Sequence, residues 1–206
     1  ILKPKFIVLD FDRNSEDEIE DKLSKIKDAL KPPVFIKPAR LGSSVGIYKV
    51  KDINKLSFFL NKSKKFDKKI IVEESVENCR EVEVSVMGNN AKSFKVSVPG
   101  RVIPASEFYD YDDKYKNNKT KFELPAKLPK EKTREIQAIA LKAYILSGCR
   151  GLARVDFLLD EKLNVYLNEI NTIPGFTPIS MYPKLWAASG VDYKKLITQL
   201  IMFAMK

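Results

Sequence analysis

Between residues 14 and 30, Ile19, Leu23, Ile26 and Leu30 recur at spacings of four, three and four. That period lays them on one face of a helix, and the acids after Asn14-Ser15 suit a helix start. Pro32-Pro33 stop it. VFIK at 34–37 reads as a short buried strand, a Gly/Ser loop follows at 41–46, and a second strand spans 47–50. Ile53, Leu56, Phe59 and Leu60 share one face of a helix over 52–66. The period then drops to two. KIIVEES (69–75), EVEVSVMG (81–88) and AKSFKVSV (91–98) read as strands, with Gly88-Asn89-Asn90 turning between the last two.

Residues 105–125 are polar, tyrosine-rich and aperiodic. A loop that long inside a compact domain is usually functional or disordered. A helix follows over 130–147, with Ile136, Ile139, Ala140 and Ala143 on its apolar face. GLARVDFLLD and LNVYLNEI read as two strands joined by a tight turn near Glu161-Lys162. From 181 the tail is helical, with a break at Ser189-Gly190. Strands are grouped rather than strictly alternating with helices, which predicts the α+β class.

Composition narrows the chemistry. The 206 residues are 44% hydrophobic and 31% charged, enough for one large domain or two small ones. No apolar run approaches the roughly 18 residues of a membrane span, and no secretory leader is visible. The chain starts at Ile1 and its first methionine is Met87, so we expect a fragment or part of a longer protein. Cys79 and Cys149 make no disulfide framework, and a reducing compartment is the default. Histidine is absent, which excludes histidine triads, metal sites and bases. The net charge of +10 invites a nucleic-acid reading. The lysines are scattered and interleaved with acids, however, as on a solvated surface.

Four stretches carry candidate chemistry. In FIKPARLGSSVGIYKV a lysine, Lys37, ends a strand ahead of a loop in which Gly42 and Gly46 would let the backbone approach a ligand. Ser43, Ser44 and the loop amides can donate to phosphate oxygens; a plain hairpin turn is the alternative. In VEESVENCREVEV, acids between two strands can meet an adenine edge or ribose hydroxyls, or simply form a charged connection. In FYDYDDKY, tyrosines and Lys114 can close over a reacting phosphate.

The fourth stretch is VYLNEINTIPGF, where a carboxylate and two amides sit at a strand mouth. Glu169 and Asn171, two apart, share a side of one strand, as Arg154 and Asp156 do on the strand before. An antiparallel pairing brings Asp156 near Glu169, a hard oxygen set suited to Mg²⁺ with a guanidinium beside it. The alternative is a structural Arg154–Glu169 ion pair.

In this order the four stretches resemble the ATP-grasp superfamily, and more closely the D-alanine–D-alanine ligase family, from about residue 33 to the C-terminus. The resemblance implies an ATP-grasp fold: a smaller central subdomain over 1–79 and a C-terminal subdomain over 80–206, with nucleotide between them. It implies an ATP-dependent, cytoplasmic ligase that makes D-Ala-D-Ala for peptidoglycan through a D-alanyl phosphate. By position, Lys37 meets the ATP phosphates and the Ser43–Ser44 loop covers them. Glu73, Ser75 and Val76 line the adenine pocket, with Glu81 at the ribose. Tyr109, Lys114 and Tyr115 belong to a loop over the acyl phosphate. Arg154 stabilises the oxyanion, and Asp156, Glu169 and Asn171 hold two Mg²⁺ ions, Mn²⁺ being a substitute. Gly175, Ser180 and Met181 receive the second D-Ala, with Ser180 at its carboxylate. Ser75 stands where the family has a bulky aromatic residue, implying weaker nucleotide binding. Tyr115 matches dipeptide-forming members rather than D-alanine–D-lactate ligases. The family's N-terminal domain, with the first D-Ala site, is missing, so the fragment alone is expected to be inactive. The full-length enzyme is expected to be a homodimer acting on small molecules, with no nucleic acid or membrane partner. Other carboxylate–amine ligases of the superfamily and a basic nucleic-acid module are the competing readings.

Overall fold

The computed structural model describes residues 1–103 and 121–205. The expected loop residues Tyr109, Lys114 and Tyr115 lie outside the described residues. The chain divides into two compact units. One takes in Pro4–Glu77; the other takes in Ile1–Lys3, Asn78–Ile103 and the chain from Lys121 onward.

In the first unit, β1 (Phe6–Asp10), β2 (Val34–Pro38), β3 (Tyr48–Val50) and β4 (Lys69–Glu74) form an antiparallel sheet in the order β1-β4-β2-β3. Helices α1 (Glu16–Ala29) and α2 (Leu56–Ser63) cover one face. Leu9, Ile26, Val34, Ile36, Leu56, Leu60, Ile70 and Val72 fill that core. Period two on the strands and near-four on the helices put these residues inside. Ser15 and Glu18 close a reciprocal capping box at the start of α1. The expected 52–66 helix is shorter: a 3₁₀ turn at Ile53–Lys55 leads into α2.

In the second unit, the sheet runs β10-β9-β5-β7-β8, with β6 also on β5. The strands are β5 (Arg80–Gly88), β6 (Lys95–Val96), β7 (Gly100–Ile103), β8 (Lys121–Glu123), β9 (Gly151–Leu159) and β10 (Val165–Asn171). Helix α3 (Lys130–Leu146) covers one face, its Ile136, Ala140, Ala143 and Tyr144 packing on Val82, Val84, Val86, Val155 and Phe157. Part of the other face is closed by α4 (Met181–Ala188) and α5 (Tyr193–Ala204), through Tyr182, Trp186 and Leu196 on Met87.

Three strands escape the sequence reading. β1 is a short apolar run between charges, and β7 and β8 have four and three residues. The 121–123 end of the expected 105–125 loop is therefore strand. The expected 91–98 strand is reduced to Lys95–Val96. Asn90 and Ser93 bind each other's backbone and fold 90–93 into a turn that removes those residues from the ladder. No helix among the described residues is long and apolar enough to cross a membrane.

Candidate functional site

On the first unit, the face of the sheet away from α1 and α2 carries Phe35, Lys37, Lys49 and Glu73. Phe35 pairs with both Lys49 and Glu73, and Lys37 stands two residues along the same strand. Lys37 Nζ forms an ion pair with the Glu73 carboxylate. Both ammonium groups also lie over the Phe35 ring, Lys37 at 5.6 Å and Lys49 at 5.9 Å. Lys49 reaches Glu77 at 3.5 Å. Ser75 N–H donates to Pro33 O at 2.9 Å, fixing the 73–76 segment beside β2.

The loop after β2 is pinned at both ends. Arg40 binds Asp67 through its backbone N–H and its guanidinium, each at 2.9 Å. Ser63 Oγ donates to Gly46 O at 3.0 Å. Between these anchors Ser43 and Ser44 both adopt left-handed backbone, at φ 54° and 59°. That region costs a non-glycine residue about 1–2 kcal/mol, so the anchors impose the loop's shape. Gly42 is exposed, with open space around it. Gly46 has no such space: a Cβ there would meet the Phe66 ring at 2.7 Å and its φ is 72°, so packing and left-handed backbone together explain that glycine.

On the second unit, a charged column crosses three strands. Glu83 on β5 is opposite Asp156 on β9, which is opposite Glu169 on β10. Arg154 is opposite Ser85 on one side and Asn171 on the other. Its Nε and Nη2 donate to the two Asp156 oxygens, each at 2.7 Å. Glu83 Oε2 lies 3.0 Å from Nε, and Glu169 Oε1 lies 3.8 Å from Nη2. Burial alone would push the Arg154 pKa down; Asp156, Glu83 and Glu169 more than offset this and hold it above its ordinary value. Arg154 is thus a fixed cation.

Register explains the grouping. Leu167 is paired with Phe157, yet Glu169 is paired with Asp156, so Asn168 forms a bulge. The extra residue keeps Leu167 and Ile170 on the α3 side and turns Glu169 and Asn171 to the charged side. Glu83 was not singled out in the sequence. Its signal was there: an acid between Val82 and Val84, in a strand whose other face is valine, needs a partner.

The expected ligand set is chemically sound. Among the described residues no group of three or more His, Cys, Asp and Glu side chains is arranged to hold a metal. The candidate set has two carboxylates and an amide instead. Each Asp156 oxygen gives one lone pair to Arg154 and keeps another. Asn171 Oδ1 accepts from Ile173 N at 3.1 Å, and Glu169 is exposed. Hard oxygen donors of this kind fit a divalent cation.

Beyond β10, Phe176 anchors the chain on Tyr182 at 5.5 Å. Ser180 sits at the N-cap of α4 but makes no capping bond; its Oγ accepts from Thr177 N at 3.0 Å instead. A Cβ at Gly175 would lie 2.8 Å from that Oγ, so Gly175 and Ser180 meet through glycine's small size. The Met181 side chain is buried against Gly100 and offers a ligand only its backbone N–H. The structure thus brings together Lys37 with Glu73, Arg154 with Asp156, Glu169 and Asn171, and Gly175 with Ser180 and Met181. Glu81 stands on β5, two residues from Glu83.

This architecture is the ATP-grasp fold. The chain belongs to the family described as D-ala D-ala ligase C-terminus, which matches residues 1–202. It is 49% identical over 193 residues to a D-alanine–D-alanine ligase of Clostridium acetobutylicum, covering 93% of this chain and 54% of that protein. It is 48% identical over 196 residues to D-alanine–D-alanine ligase B of Clostridium tetani, covering 95% and 52%. Among solved structures, the D-alanine–D-alanine ligase of Coxiella burnetii superposes with a TM-score of 0.80 at 34% identity, covering 100% of this chain and 52% of that one. The VanG D-Ala:D-Ser ligase of Enterococcus faecalis gives 0.85 at 32%, covering 98% and 57%. The chain spans about half the length of the curated relatives it matches.

Proposed function

We propose that this chain is the nucleotide-, metal- and acceptor-binding part of an ATP-dependent D-alanine–D-alanine ligase, a cytoplasmic homodimer when full-length. The carboxylate of one D-alanine takes the γ-phosphoryl group of ATP, giving an acyl phosphate and ADP. The amine of the second D-alanine attacks the acyl carbon, and phosphate leaves. The observation that carries the proposal is Arg154 held among Asp156, Glu83 and Glu169 at the mouth of β9 and β10.

Each part has a role in that chemistry. Lys37 and the Ser43–Ser44 loop receive the phosphates of ATP. The segment from Glu73 to Val76 takes the adenine and Glu81 the ribose. Asp156, Glu169 and Asn171 would hold Mg²⁺, or Mn²⁺ in its place, which neutralises phosphate charge when bound. Arg154 places a fixed positive charge where an oxyanion develops. The first turn of α4 has unsatisfied backbone N–H groups that suit the acceptor's carboxylate, with Ser180 Oγ beside them. Tyr109, Lys114 and Tyr115 exclude water from the acyl phosphate. A basic surface favours encounter with ATP.

The test is phosphate release by the full-length protein in Mg²⁺-ATP, with D-alanine as sole substrate. D-alanine-dependent release with D-Ala-D-Ala as product is expected. Release only when D-serine or D-lactate is added as acceptor would replace the dipeptide assignment, and ATP binding without release under any acceptor would overturn the ligase assignment.

A further inference from the structure

Arg154 is contacted by one carboxylate more than the proposed metal site uses. Asp156 and Glu169 face the guanidinium and would also serve as the carboxylate ligands of a bound cation. Glu83 approaches from the other neighbour strand. It is buried, at 7% exposure. Its Oε2 lies 3.0 Å from Arg154 Nε, an ion-pair contact and not a hydrogen bond, because the single Nε–H is given to Asp156 Oδ1. A buried carboxylate is held in place only by partners of opposite charge or by good hydrogen bonds. Paired strands fix its height: Glu83 is level with Asp156, and Ser85 with Arg154, so Glu83 reaches Arg154 diagonally. Ser85 is itself immobilised, its N–H bound to Ser97 Oγ at 2.9 Å and its Oγ to Tyr182 O at 3.2 Å. The strand that carries Glu83 is therefore rigid on the Arg154 side.

We infer that Glu83 is the positioning residue of Arg154. When a divalent cation draws charge from Asp156 and Glu169, those two carboxylates hold the guanidinium less strongly. Glu83, outside the proposed ligand set, keeps its charge beside Nε and offers Oε2 to that N–H when Asp156 releases it. Glu83 touches neither substrate nor reacting atom; it acts through the Arg154 orientation. The inference rests on the ligase proposal and adds a residue to it.

The experiment uses the full-length protein, with Glu83→Gln, Glu83→Asp and Arg154→Lys compared in steady-state kinetics and thermal unfolding. Glu83→Gln is expected to lower kcat about 10- to 100-fold, with the KM values for ATP and D-alanine within about threefold and the unfolding midpoint little changed. Glu83→Asp keeps the buried charge but shortens its reach, and is expected to lose kcat likewise if Glu83→Gln does not fold. A second readout is the Arg154 Nε–H resonance in ¹⁵N-arginine-labelled protein with Mg²⁺ and ADP, assigned by its loss in Arg154→Lys. Asp156 Oδ1 also accepts this N–H, so the comparison is made with Mg²⁺ and ADP bound, where slow solvent exchange is expected in the native protein and faster exchange in Glu83→Gln. If Arg154→Lys loses kcat while both Glu83 variants keep it within twofold, or if exchange is unchanged in Glu83→Gln, the positioning role fails and the ligase proposal stands. If Arg154→Lys itself leaves kcat unchanged, the ligase proposal's use of Arg154 fails, and the role of Glu83 with it.

Discussion

Glu169 stands directly opposite Asp156 across the β9–β10 pair, one residue past a bulge at Asn168. The bulge decides which face Glu169 presents. Without it Glu169 would be level with Val155 and point at the core under α3. Deleting Asn168 removes the extra residue itself, so the strand is expected to pair without a bulge and to leave Glu169 level with Asp156 and Ile170 level with Val155. Thermal unfolding of the full-length protein checks this: the deletion should shift the midpoint little, by about 1 kcal/mol or less, whereas a fall of several kcal/mol would mean that the deletion had turned Glu169 into the apolar core.

Gly100 marks where α4 meets the sheet. A Cβ at that position would lie 2.5 Å from Leu124 Cδ2, 2.6 Å from Leu185 Cδ2 and 2.9 Å from Met181 Cε. All three are side-chain ends and can shift. Gly100→Ala is expected to destabilise by about 1–3 kcal/mol and to disturb the start of α4. The KM for the acceptor amino acid should rise while the KM for ATP does not.

Tyr144 gives a pH dependence whose sign is fixed. Its hydroxyl donates to Gly88 O at 2.8 Å inside the core, and burial pushes its pKa up to about 12 from 10.0, with Cys149 adding to the rise. The unfolded chain loses this proton near pH 10 while the folded chain keeps it. Stability is thus fully present below pH 10 and falls as pH rises from 10 towards 12. Tyr144→Phe should be less stable at neutral pH, by about 1–2 kcal/mol for the unpartnered carbonyl, and its midpoint should fall less steeply over that alkaline range.

Lys37 is tied to Glu73 and to the Phe35 ring. Lys37→Met keeps the length and removes the charge. If Lys37 meets ATP phosphates, the variant should raise the KM for ATP at least about tenfold, one charge-assisted contact being worth roughly 1.5–3 kcal/mol. The acceptor KM should stay within about twofold.

Much of this was legible in the chain. The α+β class and most of the helices follow from hydrophobic period, as Ile19, Leu23, Ile26 and Leu30 illustrate. The closeness of Asp156 and Glu169 follows from two consecutive strands with a tight turn at Glu161-Lys162. β7 and β8 were hidden because three or four residues cannot display a period. The bulge left one trace, the three-residue step from Leu167 to Ile170, which breaks the alternation. Glu83 was overlooked because its partner, Arg154, is 71 residues away (154 minus 83) and only the β5–β9 register joins them. Gly46 looked like ligand clearance; the Phe66 ring that fills that space becomes visible only once α2 turns back on the loop.

The most direct test of the central claim is calorimetric titration of Mg²⁺-ATP into the full-length protein, compared with Glu169→Gln and Asp156→Asn. Unfolding curves of the variants should first show that they remain folded. Loss of one metal-ligating carboxylate is predicted to weaken Mg²⁺-ATP binding at least about tenfold, with little change in binding of ATP offered without Mg²⁺. Equal affinity for Mg²⁺-ATP in the native protein and both variants would contradict the account, leaving the Arg154 column a structural ion-pair network.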